Sequence, residues 1–252
     1  MQWGIVPVGQ DGSAHFIVPA DRNIFFQALD ENYMEVQRER TYVNYRPGEM
    51  RTCIGCHERS GKTLRPAFND TPLALKRPPS IAGPQPGETD PHQVVHYPAD
   101  IQPILDAKCI SCHDDSEPDG DLNLTGTITP RHSVSFEQLL RKELAGPVIA
   151  EFVTHSGGDD ANSNGAYLSP KSLGSHRSGL VATIRTTDAQ DPHYQLLSRA
   201  DLLKIIRWVD TNYQFYGTYY GRHHDAHKSH PDFRRDPTFE EAISPRAPDW
   251  HR

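Results

Sequence analysis

The chain has four cysteines, and each lies in a Cys-x-x-Cys-His pattern. Cys53, Cys56 and His57 make the first copy, Cys-Ile-Gly-Cys-His; Cys109, Cys112 and His113 make the second, Cys-Ile-Ser-Cys-His. Two thiols at this spacing can add across the two vinyl groups of one porphyrin. An imidazole directly after the second thiol is tethered closely enough to reach the porphyrin iron. The pattern is the attachment sequence of c-type haem, and two copies with no cysteine left over imply two covalently bound haem c groups. Paired Cys-x-x-Cys knuckles can also hold a tetrahedral zinc ion, so a zinc-binding interaction module is an alternative. Against it, Cys56 and Cys109 are far more distant than the roughly 15–20 residues of a zinc ribbon, and four thiolates give no role to a histidine after each knuckle. Disulfides within each knuckle would close strained rings.

Each iron needs two axial ligands. His57 and His113 are the proximal candidates. Small c-type cytochromes present the second ligand from the loop before the terminal helix, often as methionine. Met1, Met34 and Met50 are all far from that place, whereas His193 lies five residues before Ser198, where the last helix should start. The second haem is therefore expected to be held by His113 and His193, with His176 as the other candidate. Two imidazoles give a low potential and leave no open position, which suits electron transfer. For the first haem, His15, His92, His96 and the tail histidines are candidates, and an open sixth position is an equal alternative. Glu58 and Arg59 would then be the nearest acid and base groups.

The elements that must position these residues follow from the patterning. Hydrophobic residues make up only 36% of the chain, against 21 prolines and 18 glycines. Such a composition predicts a loop-rich α+β protein whose small cores are completed by large apolar cofactors. Residues 1–98 read as a small antiparallel β-sandwich-like domain with the first motif and a Pro-rich linker. Its strand runs are Ile5–Val8, Ala14–Val18, Ile24–Leu29, Glu35–Arg38 and Thr41–Tyr45, with a hairpin turn at Asp11-Gly12. Lys76–Ser80 and Gly83–Gly87 are too rich in proline for long regular elements. Residues 99–220 read as a mainly helical cytochrome c-like domain. Helices are expected at Asp100–Lys108, with Ile101, Ile104 and Leu105 as its apolar face, and at Glu137–Leu144 and Ser178–Arg185. Another should run from Ser198 to about Tyr213, with Asp201 completing a capping box. Gly157–Pro170 is a polar loop. Residues 221–252 form an irregular tail with His223, His224, His227 and His230.

Several stretches resemble the hydrazine synthase alpha-subunit family. Val6–Ala20, Phe26–Asp30, Arg46–Glu49 and Cys53–Glu58 resemble its middle domain. Ile101–Asp106, Ser172–Ser178, Trp208–Asn212 and Tyr216–Tyr219 resemble its C-terminal haem domain. The resemblance covers roughly residues 3–220. It implies a dihaem c-type protein, with a first haem in the middle domain and a second, bis-histidine haem that relays electrons. It also implies a β-propeller ahead of the middle domain. In hydrazine synthase the first haem is catalytic; its iron is held by a tyrosine four residues after the motif histidine, and that histidine goes to zinc. Here that position is Gly61, and no tyrosine lies between His57 and His96. Hydrazine synthesis is therefore not expected.

The function expected is a dihaem c-type cytochrome relaying electrons between redox protein partners. The alternative is an oxidoreductase acting on a small nitrogen or oxygen species at an open first haem. A net charge of −7 argues against nucleic acid, and there is no run of about 20 apolar residues to span a membrane. Met1–Val8 has neither the basic nor the apolar region of a signal peptide. Covalent haem attachment takes place outside the cytoplasm. The chain is thus expected to be periplasmic or otherwise extracytoplasmic, as a mature form or part of a longer protein, and to be completed by a preceding domain or partner subunit.

Overall fold

Helix α4, Arg199–Asp210, begins where its sequence dictates. The Ser198 hydroxyl accepts the Asp201 N–H at 3.1 Å and donates to the Asp201 carboxylate at 2.6 Å. One orphan amide of the first turn is thereby satisfied, and an acidic group is held at the helix start. Ser198→Ala is expected to cost about 1 kcal/mol, read as a lower urea midpoint with an unchanged slope. Leu203, Ile205, Ile206, Trp208 and Val209 are all buried, as the apolar stripe requires.

The computed structural model describes residues 2–39, 42–55, 71–91, 94–140 and 169–216. They fall into two compact units, one from Gln2–Gln93 with Phe152–His176, the other from Val94–Glu151 with Arg177–Arg252. Small antiparallel sheets and a few helices make the chain α+β. Cys56, His57, Glu58, Arg59, Gly61, His92, nearly all of Gly157–Pro170 and the tail histidines lie outside the described residues.

In the unit that begins at Gln2, the described strands form two separate two-stranded sheets. β1 (Asn23–Ile24) pairs with β4 (Val43–Asn44), and β2 (Gln27–Leu29) pairs with β3 (Glu35–Arg38). The expected sandwich runs Ile5–Val8 and Ala14–Val18 contribute single bridges, Ile5 to Gly83 and Phe16 to Ser80. Their partner is the Pro-rich segment expected to be a linker. Pro78, Pro79, Pro84 and Pro86 have no N–H to donate, so neither bridge can grow into a ladder. Gly4 sits at φ +112°, and a Cβ there would lie 2.7 Å from the Gly83 carbonyl that accepts the Ile5 N–H. Gly4→Ala combines positive-φ strain with a broken bridge and is expected to destabilise the chain by about 2–3 kcal/mol, measurable in urea unfolding.

The Asp11-Gly12 turn is present: Gly9 and Ser13 exchange a backbone bond around it, and Asp11 accepts the Ser13 N–H. Asp30 organises the β2–β3 loop by accepting the N–H groups of Asn32 and Met34 at 2.8 and 3.0 Å. Glu35 and Arg38 are both buried and pair through two contacts, 2.5 and 2.6 Å. Gln27 also donates to Glu35, so the buried charges are compensated.

In the other unit a π-turn, Tyr97–Ile101, runs into α1, Gln102–Lys108. The expected helix thus starts with a turn wider than that of an α-helix, and its face of Ile101, Ile104 and Leu105 is buried. α2 covers Val134–Leu139, earlier than Glu137–Leu144, because Ser133 caps it by accepting the Phe136 N–H. α3 covers Gly179–Ile184 behind a Ser178 cap. α4 packs on the π-turn and on α3. Tyr97 is fully buried at the centre of this core, with its ring 5.0 Å from Phe136, 5.1 Å from Trp208 and 5.6 Å from Phe215.

Candidate haem site at Cys109–His113

α1 hands directly into the second motif. The Cys109 N–H reaches the Leu105 carbonyl at 2.8 Å, and the His113 N–H reaches the Cys109 carbonyl at 3.0 Å. The motif is one more turn of the same helical path, which places both thiols and the imidazole around a single end. Cys109 and Cys112 are free thiols, the first half-buried and the second exposed. Burial pushes the Cys109 thiol up to about 11, so it is protonated at neutral pH and suited to S–H addition rather than to standing as a thiolate.

The chain then folds back over the motif. Asp114 accepts two backbone N–H groups and starts the return. Asp119 donates to the Cys112 carbonyl at 2.8 Å, and Leu124 donates to the His113 carbonyl at 2.9 Å. That return brings the Leu122 carbonyl 3.0 Å from His113 Nδ1. A carbonyl only accepts, so Nδ1 carries the proton and Nε2 keeps its lone pair.

His193 is held in the same manner. It lies in the connection between α3 and α4, and its Nδ1 is 2.8 Å from Asp191 Oδ1. The same oxygen accepts the His193 backbone N–H at 2.8 Å. These two bonds keep the Asp191 carboxyl below its ordinary value, the backbone bond foremost, so it is an anion that again fixes the proton on Nδ1. The two imidazoles face each other with ring centres 6.3 Å apart and planes 27° apart.

That separation tests whether the residues fit an iron. Two metal–imidazole bonds of about 2.0 Å, each lengthened by the roughly 1.2 Å from ring nitrogen to ring centre, span about 6.4 Å. The observed 6.3 Å matches that span, and it also lies within the roughly 4.5–7 Å of ordinary ring pairs. A second observation agrees. None of residues 106–123, nor of 185–200, is fully buried; both imidazoles sit on segments that are at most part-covered. Surfaces of this kind suit a large apolar group placed between them.

His176 is not at this site. It belongs to the unit that begins at Gln2, where its Nε2 is 3.1 Å from Asp30 Oδ2. That carboxylate already anchors the β2–β3 loop, and the pair is largely buried. Cys53 is an exposed thiol. It follows a turn in which Glu49 accepts the Arg46 N–H at 2.8 Å and binds Arg51 at 2.6 Å, while the Arg51 guanidinium lies over the Tyr45 ring. His15 Nδ1 is buried with no hydrogen-bond partner among the described residues. The backbone N–H of His96 is bonded to Asp100 at 2.7 Å. Among the described residues no three His, Cys, Asp or Glu side chains converge as a metal cage. Asp191 and the Leu122 carbonyl went unread in the sequence. The signal for Asp191 was present as Asp191-Pro192-His193, an Asx-turn pattern whose carboxylate folds toward the residue two positions on.

Residues 2–58 match the family described as hydrazine synthase alpha subunit middle domain. The hydrazine synthase subunit alpha of Kuenenia stuttgartiensis is 26% identical over 270 residues, 82% of this chain and 32% of that protein. The chain therefore spans about a third of the length of its curated relative. The solved Kuenenia stuttgartiensis hydrazine synthase shares the fold over 76% of this chain and 30% of its own, with a TM-score of 0.51 and 22% identity. The chain is thus similar to the hydrazine synthase alpha subunit, through residues 2–58 in the family model and through 82% of its length in the named relative.

Proposed function

We propose that the chain is a dihaem c-type cytochrome that relays electrons between protein partners outside the cytoplasm. The observation that carries the reading is the facing pair His113 and His193, 6.3 Å apart, each with Nδ1 engaged and Nε2 available. Cys109 and Cys112 would form the two thioethers of the second haem, and His113 and His193 its axial bonds. Cys53, Cys56 and His57 would attach the first. Residues 99–220 act as the cytochrome c-like domain, residues 1–98 carry the first haem, and residues 221–252 form the tail. A haem held in this way supplies a one-electron Fe(III)/Fe(II) couple. The protein's part would be to hold the His113 and His193 imidazoles in one orientation, so that little of the chain rearranges when an electron moves. The Leu122 carbonyl and the Asp191 carboxylate do this by fixing ring orientation and tautomer. No described helix is long and apolar enough to cross a membrane. Donor and acceptor would dock on protein surface, on a preceding domain or on a partner subunit.

The visible spectrum of the haem-matured chain, oxidised and reduced, with and without carbon monoxide, tests this. Two low-spin haems indifferent to carbon monoxide are expected. No Soret band would end the haem reading and leave zinc. A second reading has its own observation: the family match ends at the first motif, within residues 2–58, and the named relative is a synthase. On that reading the first haem is an open reaction centre for a small nitrogen or oxygen species, served by the second haem. A high-spin fraction that binds carbon monoxide would put this reading ahead.

A further inference from the structure

We propose that Asp191 sets the redox potential of the haem at the second motif, as a positioning residue that acts through His193. The inference rests on the reading of His113 and His193 as the axial pair.

The two imidazoles are supported unequally. His113 donates its Nδ1 proton to a neutral backbone carbonyl at 3.0 Å. His193 donates its own to an ionised carboxylate at 2.8 Å. A carboxylate draws that proton further from the ring, so the ring becomes a stronger electron donor at Nε2. A stronger donor stabilises ferric over ferrous iron, and the potential falls. The bond is short and charge-assisted, a class roughly twice as strong as its neutral counterpart. Its geometry is fixed locally, because Asp191 Oδ1 also accepts the His193 backbone N–H and the Asp191 carbonyl accepts the Tyr194 N–H at 3.0 Å. The turn therefore presents carboxylate and imidazole as one preformed element.

Charge and geometry can be separated. Asparagine keeps an acceptor oxygen at the same place and can preserve both hydrogen bonds, but it removes the negative charge. Alanine removes both. Optical redox titration of the full haem-loaded chain at fixed neutral pH is the measurement, with the low-spin bands and carbon monoxide insensitivity recorded alongside.

Asp191→Asn is expected to keep the low-spin, carbon monoxide-insensitive spectrum. It should raise the reduced-to-oxidised ratio of the second haem at least tenfold at a given applied potential, a shift of 59 mV for a one-electron couple. Asp191→Ala should show the same rise and add a high-spin fraction that binds carbon monoxide. An Asp191→Asn chain with the parental midpoint potential and an intact low-spin spectrum would overturn the inference and leave the axial pair standing. An unsubstituted chain that lacks the second haem, or a His193→Ala chain whose second haem is unaffected, would overturn the axial pair and the inference with it.

Discussion

His193→Ala should turn the second haem from inert to carbon monoxide-binding. The substitution removes one of the two facing imidazoles and leaves Cys109, Cys112 and His113 in place, so attachment survives while one axial position opens. With two haems per chain, about half of the total haem is expected to become high-spin and bind carbon monoxide, and the potential of that half should rise as a strong donor is lost. Folding should change little. The His193 side chain is 30% exposed, and its neighbouring helices are capped independently by Ser178 and Ser198. A loss within about 1 kcal/mol is expected for such a position. His176→Ala is the matched control: its ring is bonded to Asp30 in the other unit, so the spectrum should be unchanged while that unit loses a largely buried side-chain hydrogen bond. If His193→Ala leaves the spectrum intact and His176→Ala opens it, the pairing described above is wrong.

The second motif was legible because it lies in residue types at fixed short spacing. Cys109, Cys112 and His113 span only one helical turn, and α1 leads directly into it. His193 was legible for a different reason: a strong cap at Ser198 marks the start of the last helix, and the loop ahead of it holds a histidine where methionine is absent. Asp191 needed an argument about a turn rather than about a motif. His176 was offered as a rival because sequence order places it near α3, yet it is drawn away by Asp30, a contact 146 positions distant that no local pattern encodes.

The fold was legible in proportion to helix content. Four helices lie within a few residues of their expected positions, since serine caps and apolar stripes are local signals. The β-rich unit was read as a sandwich because Ile5–Val8 and Ala14–Val18 have strand-like residues. What they lacked was a partner able to donate hydrogen bonds. The Pro-rich segment that meets them satisfies only one backbone pair at a time, through Gly83 and Ser80. Strand propensity measures fitness for a pleated surface and says nothing of whether a neighbour can complete it.

Replacing both thiols, Cys109→Ala with Cys112→Ala, should produce the largest change in the molecule. Haem content by alkaline pyridine absorbance is expected to fall from two per chain to one. The structural consequence should be regional. α1, α2 and α3 have seven, six and six residues, far short of the roughly 12–15 that an isolated helix needs in water. Around Tyr97, Trp208, Phe136 and Phe215 they are held by a buried aromatic core. Residues 106–123 and 185–200 have no buried side chain and rest on hydrogen bonds within turns, such as Asp114 to Ser116 and Asp191 to His193. A haem between His113 and His193 would give these two segments their apolar contact. Without it, their amides should exchange with solvent at least tenfold faster, a loss of about 1.4 kcal/mol of local protection, while amides of Ile205–Val209 keep theirs. Uniform loss across both regions would mean that the haem is part of the core itself. No change in either would mean that the turns are self-sufficient and that the facing imidazoles are preformed before the cofactor arrives.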